Sequence, residues 1–193
     1  MDEAVALALE LSEPHGLAHA KLFASILCQL RSDRRMAQQY AEAVSEVSQS
    51  HGLVLYGAMA DVMKGWTLSE QGREPEGIDL MRKGLAGLEV TATAVVRPHF
   101  LALLAEALLK LDRIDEASAV LDEATTIVDN NGERYYEAEL YRLKGELLLK
   151  KDKRAEAEQC FKRSLEIATS QKAKSLLIRT EMSRLRVSSG TLL

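Results

Sequence analysis

Four histidines, His15, His19, His51 and His99, and two cysteines, Cys28 and Cys160, are the side chains best suited to hold a metal or attack a substrate. Their spacing assigns them neither task. There is no HExxH pair, and neither cysteine nor carboxylate accompanies a histidine at metal-ligand intervals. Both cysteines fall on apolar faces of separate predicted helices and read as buried thiols. His15 and His51 occupy equivalent inter-helix corners, where hydrogen bonding is their expected role. No serine lies in a GxSxG context, and GLAG at residues 84–87 is a helix-packing stretch. Acid pairs such as Glu137 with Glu139 and Glu156 with Glu158 belong to charged helix faces. The sequence therefore assigns no catalytic, metal-binding or cofactor-binding residue, and the chain is not read as an enzyme.

The elements that would position any site are helices. At 193 residues and 47% hydrophobic content the chain can bury one sizeable core. Leu, Ala, Glu, Lys and Arg dominate, with only three prolines and no alternating strand-like run, which predicts an all-α fold. The net charge of -4 offers no overall attraction to nucleic acid or anionic lipid. Its distribution is uneven: residues 1–149 carry 14 Lys and Arg against 24 Asp and Glu, whereas residues 150–193 carry 11 against 5. Neither a basic targeting segment nor an apolar run of membrane-spanning length occurs, so a cytoplasmic location without nucleic-acid or membrane partners is expected.

Residues 134–172 set the organisation. Ala138, Leu140, Leu143, Leu147 and Leu148 recur at helical spacing, as do Ala157, Cys160, Phe161, Leu165 and Ala168, with the polar turn KKDKR between. Mid-helix Gly145 costs about 1 kcal/mol relative to Ala; Ala157 supplies its reason, as two small residues let antiparallel helices cross closely. Shifting by 40 residues places Gly145 over Ala105, Gly65 and Ser25, and Ala157 over Ala117, Gly77 and Ala37. Large positions follow at Ala41, Met81, Leu121 and Phe161, and turns coincide at Ser32, Gly72, Asp112 and Asp152. Helix pairs are predicted at 17–30 and 36–50, 53–71 and 75–91, 98–111 and 114–129, and across 134–172. One last helix should cover the open side of the fourth pair, followed by a frayed tail at 188–193. Residues 1–16 align with 37–52 at a shift of 36, so the chain opens on the second helix of a repeat and is read as a piece of a longer protein. Residues 1–187 are read as a single domain.

This pattern of small and large residues resembles the tetratricopeptide repeat. The period of 40 exceeds the usual 34 and equals that of HEAT-like repeats, but the small-residue pairing is of the tetratricopeptide type. Its implied fold is a right-handed superhelix of helical hairpins. GWTLSEQGREPEGIDLMRKGL, RPHFLALLAEALLK, GERYYEAELYRLKGELLL and AEAEQCFKRSLEIATSQKAKSLLIR are further similar to the C-terminal repeats of large bacterial signalling proteins. In that family a class III adenylate or guanylate cyclase domain and an AAA-type ATPase domain precede the repeats. This sequence contains neither a GxxxxGK[ST] phosphate loop nor a cyclase metal-binding segment.

In tetratricopeptide arrays the first helix of each pair lines a concave groove. That geometry implies four partner-binding rows: His19, Leu22, Ile26 and Gln29; Met59, Val62, Trp66 and Ser69; His99, Ala102, Glu106 and Leu109; Glu139, Arg142, Glu146 and Leu149. Trp66 reads either as a hot-spot anchor for a partner or as packing against a neighbouring helix. The expected function is a non-catalytic protein-interaction module binding a protein or peptide in the groove, as the regulatory arm of a cyclase or ATPase signalling protein. A structural spacer or dimerisation segment is the alternative. An N-terminal helix lacking its partner would leave Val5, Ala8 and Leu9 uncovered, and a homodimer is expected through it.

Overall fold

The computed structural model describes residues 3, 6–8, 13–90 and 96–188, all of whose regular structure is helical. Residues Val5, Leu9, Ser12, Thr91 and 189–193, which carried sequence expectations, lie outside this set. Glu3 and Ala6–Ala8 are helical, with Ala8 buried and Leu7 exposed. Nine longer helices follow, in two compact units comprising residues 1–94 and 95–193. The 40-residue register crosses the division without a Pro/Gly-rich linker to mark it.

The first unit holds α1 (Pro14–Leu30), α2 (Arg34–His51), α3 (Val54–Ser69) and α4 (Glu74–Val90). Glu13 caps α1, accepting from the backbone N–H groups of His15 and Gly16, with Pro14 in the first turn. Asp33 caps α2 by accepting from Met36 at 3.1 Å. At the α1–α2 crossing the Ser25 hydroxyl donates to the Ala37 carbonyl at 2.8 Å. The α3–α4 crossing is tighter: a Cβ on Gly65 would stand 2.6 Å from the Gly77 oxygen, and one on Gly77 2.5 Å from the Gly65 oxygen. Backbone meets backbone there, so only glycine fits.

The second unit holds α5 (Arg97–Lys110), α6 (Ile114–Asn131), α7 (Glu137–Lys150), α8 (Arg154–Ser170) and α9 (Lys174–Ser188). Ala105 and Ala117 are fully buried, as the register expects. For Gly145 the reason is different from the one expected. A Cβ would lie 2.5 Å from Cε1 of Phe161, so the ring rather than Ala157 claims the space. Phe161 is the largest side chain at that repeat position, and the opposing residue must shrink to match.

The turns follow the register residue by residue. Ser32, Asp112 and Asp152 take φ values of 58°, 53° and 56°, and Gly72 takes 80°. Beyond each, the next N–H reaches back five residues: Asp33 to Cys28 at 2.9 Å, Arg73 to Leu68 at 3.1 Å, Arg113 to Leu108 at 3.0 Å and Lys153 to Leu148 at 2.9 Å. This is the Schellman closure of a helix, in which one left-handed residue satisfies otherwise orphaned carbonyls. Asp152 thus closes α7 as a turn residue, as the register expects. Gly52 and Gly132 close α2 and α6 in the same left-handed region.

Candidate partner-binding site

The first helices α1, α3, α5, α7 and α9 carry the residues the register places on the candidate groove. Twelve of the sixteen are buried: Leu22, Ile26, Gln29, Met59, Val62, Trp66, Ser69, His99, Ala102, Leu109, Glu139 and Arg142. His19 is exposed, while Glu106, Glu146 and Leu149 are half-buried. Of the sixteen residues expected to face a partner, these four are the accessible ones. Within each unit, neighbouring first helices pack on one another.

In the first unit the middle of these rows is apolar, with Leu22 and Ile26 on α1 and Met59, Val62 and Trp66 on α3. Met59, Val62 and Trp66 fall three and four residues apart on α3 and are buried. The Trp66 indole Nε1 and the Ser69 hydroxyl have no hydrogen-bond partner, an arrangement that costs free energy inside a fold. The His19 ring lies tilted by 38° against Phe23, centroids 4.6 Å apart, and faces the Tyr56 hydroxyl at 3.4 Å from Nδ1.

In the second unit the rows are ionic. Arg142 on α7 pairs through Nη2 with Glu139 at 2.6 Å and with Glu106 of α5 at 2.9 Å, and through Nη1 with Glu146 at 2.6 Å. Arg179 on α9 reaches the same Glu139 and Glu106 oxygens at 2.7 and 3.0 Å. Ser183 donates to Glu146 at 2.7 Å and accepts from Arg142 at 3.2 Å. Burial pushes the Glu106 carboxyl up, but the Arg179 and Arg142 guanidiniums outweigh it and hold the group well below the usual range. Three carboxylates share two guanidiniums, and the network leaves Glu139 Oε2 and Arg142 Nε, both buried, without a hydrogen-bond partner.

His99 sits one face along α5, fully buried, stacked at 3.9 Å on Tyr136 and 3.0 Å from the Tyr135 hydroxyl at Nδ1. Burial, aided by the Arg179 charge, pulls its pKa down to about 3, so the ring is neutral and serves as a packed hydrogen-bonding group.

Among the described residues no group of three or more His, Cys, Asp or Glu could hold a metal ion, and no helix is long and apolar enough to cross a membrane. His15 and His51 are exposed, and the His15 ring stands edge-on to Tyr56 at 6.2 Å instead of making the corner hydrogen bond expected. Cys28 is buried as expected, whereas Cys160 is only half-buried.

Arg179, Ser183, Tyr135 and Tyr136 are the members the sequence reading missed. The signal for Arg179 was available: one further shift of 40 carries the series His19, Met59, His99, Glu139 onto Arg179. Treating α9 only as a cover ended the series one row early.

Residues 99–170, which span most of α5 and all of α6, α7 and α8, match the tetratricopeptide repeat family. No curated protein matches the chain. Matched segment, hairpin geometry and exact recurrence of the turns together make this an all-α repeat fold of the tetratricopeptide type.

Proposed function

We propose that the chain is a non-catalytic protein-interaction module, and that the first-helix face of the second unit contacts the partner. The observation that carries the reading is the ionic network. Charges taken out of water rarely stabilise a fold better than apolar side chains of the same volume. A cluster of three carboxylates and two guanidiniums, with Lys110 also acting on Glu106, stays half open at Glu106 and Glu146 and is better suited to recognition of a segment that brings a polar or basic side chain to those carboxylates. Leu149, half-buried on α7, completes the accessible part of this face.

The register running from residue 19 to residue 179 supports reading residues 1–187 as one repeat domain. We further propose, from the sequence resemblance, that the module is the regulatory arm of a larger bacterial cyclase or ATPase signalling protein. A phosphate loop encoded upstream of Met1 in the same frame would support this, and an upstream stop codon would end it.

Capture from the source lysate tests the interaction reading. The wild type and a Glu106→Gln/Glu146→Gln variant of equal helical content should differ, the variant retaining its specific partner at least tenfold more weakly. An identical set of retained proteins would overturn the reading.

A further inference from the structure

We infer that the Glu106 and Glu139 carboxylates form an arginine-binding subsite, filled in the free chain by its own Arg179 and taken by an arginine of the partner segment on binding. Such a subsite rests on the reading that the first-helix face of the second unit contacts the partner, and it specifies the side chain that face takes. α5, α7 and α9, which build it, all belong to that one unit.

The two guanidiniums of the cluster are held very differently. Arg142, whose side chain is 5% exposed, joins Glu106, Glu139 and Glu146 across both terminal nitrogens and also donates to Ser183. Arg179 is 20% exposed at its side chain and reaches Glu106 and Glu139 through Nη2, in each case at the Oε1 atom that Arg142 already pairs with. Two cations crowd one oxygen, and their mutual repulsion falls on the one less firmly held. Arg179 is therefore the replaceable member. Its backbone can stay in place when the side chain swings out, because Ser183 binds Glu146 and Thr180 meets the Ser164 hydroxyl at 2.8 Å, which keeps α9 docked.

The acceptor side shows what is missing. Glu139 is 1% exposed, and while its Oε1 takes both guanidiniums, its Oε2 has no hydrogen-bond partner. A buried carboxylate oxygen left without a donor costs free energy. Neither arginine of the chain grips this carboxylate with two prongs. A guanidinium entering in place of Arg179 can present parallel N–H groups to both oxygens, a geometry that an ammonium, with its donors on a single atom, cannot reproduce. With Arg179 displaced, three carboxylates face Arg142 alone, and attraction for the incoming cation rises.

Titration of the full chain with short blocked peptides, Ala-Ala-Arg-Ala-Ala against Ala-Ala-Lys-Ala-Ala, followed by NMR at the Glu106 and Glu139 amides, tests this. Arg179→Ala, which empties the subsite, should bind the arginine peptide about tenfold more tightly than the wild type, and adding Glu106→Gln should abolish that gain. Both chains should prefer arginine to lysine by about tenfold. Should Arg179→Ala lose helical content, Arg179→Gln replaces it with the same expectations, and the two-peptide comparison on the wild type needs no variant. Equal affinity of the wild type and the Arg179 variant, equal affinity for the two peptides, or no detectable binding by the variant would each overturn the inference. Equal peptide binding alongside loss of lysate capture by Glu106→Gln/Glu146→Gln would remove the arginine subsite and leave the interaction face standing.

Discussion

Trp66 in the first unit and Glu106 and Glu146 in the second occupy one position of the repeat, as do Val62 and Arg142, yet their surroundings have diverged completely. The first unit fills these positions with apolar groups and tolerates an unpartnered indole N–H. The second fills them with five charges that satisfy one another in part. A shared backbone register therefore fixes where a side chain stands and leaves its job to composition. Apolar rows pack neighbouring helices by burial, whereas the ionic row joins them through charge pairs that carry a desolvation cost.

The sharpest way to break this comparison is to remove its central charge. Arg142→Met removes the guanidinium shared by Glu106, Glu139 and Glu146 and leaves Arg179 as the remaining guanidinium on Glu139 and Glu106, and chemical denaturation should show a loss of about 3–5 kcal/mol. Val62→Ala at the equivalent position should cost less, because it deletes methyl groups and strands no charge. Equal losses would erase the distinction between the rows. Trp66→Ala should also cost about 3–5 kcal/mol, through the cavity left by a buried ring. A stability change below about 1 kcal/mol would instead mark Trp66 as a binding anchor.

Gly145→Ala sharpens the account of the fourth hairpin. The added methyl enters the Phe161 ring, so a cost of about 1–3 kcal/mol is expected, and Phe161→Leu in the same chain should recover part of it. Failure of that rescue would return the explanation to Ala157.

The two histidines of the register separate by pH and by truncation. The folded-state pKa of His99 lies near 3, below the ordinary value of 6.5, so the unfolded chain binds the proton first as pH falls. Its contribution is intact above pH 6.5 and is lost from there down toward pH 3, amounting to about 1.4 kcal/mol by pH 5.5. Denaturation of the wild type and His99→Phe at pH 7 and pH 5.5 should show this slope only in the wild type. His19→Ala, at an exposed site, should alter stability at pH 7 by no more than about 0.5 kcal/mol.

Much of the fold was legible because turns and crossings are local. Ser32, Gly72, Asp112 and Asp152 were visible as turn residues at one spacing, and each takes the left-handed conformation. The small pair at Gly65 and Gly77 identified a crossing at which backbone touches backbone. The site was less legible. Register alone could not say that neighbouring first helices would bury Met59, Val62 and Trp66. Nor could it say that Gly145 answers to Phe161, since a ring's rotamer is decided by packing. The ionic network joins residues up to 73 apart, Glu106 with Arg179, and required the period to be carried into α9.

The proposal that the second unit's first-helix face contacts a partner is tested most directly by photo-crosslinking. A photoreactive side chain placed at Leu149, on that face, and another at exposed Asp122 of α6 would be irradiated in the source lysate. Position 149 should capture one specific protein, with Glu106→Gln/Glu146→Gln reducing the yield at least tenfold, and position 122 should not capture it. Capture from 122 but not from 149, or equal capture from both, would contradict the account.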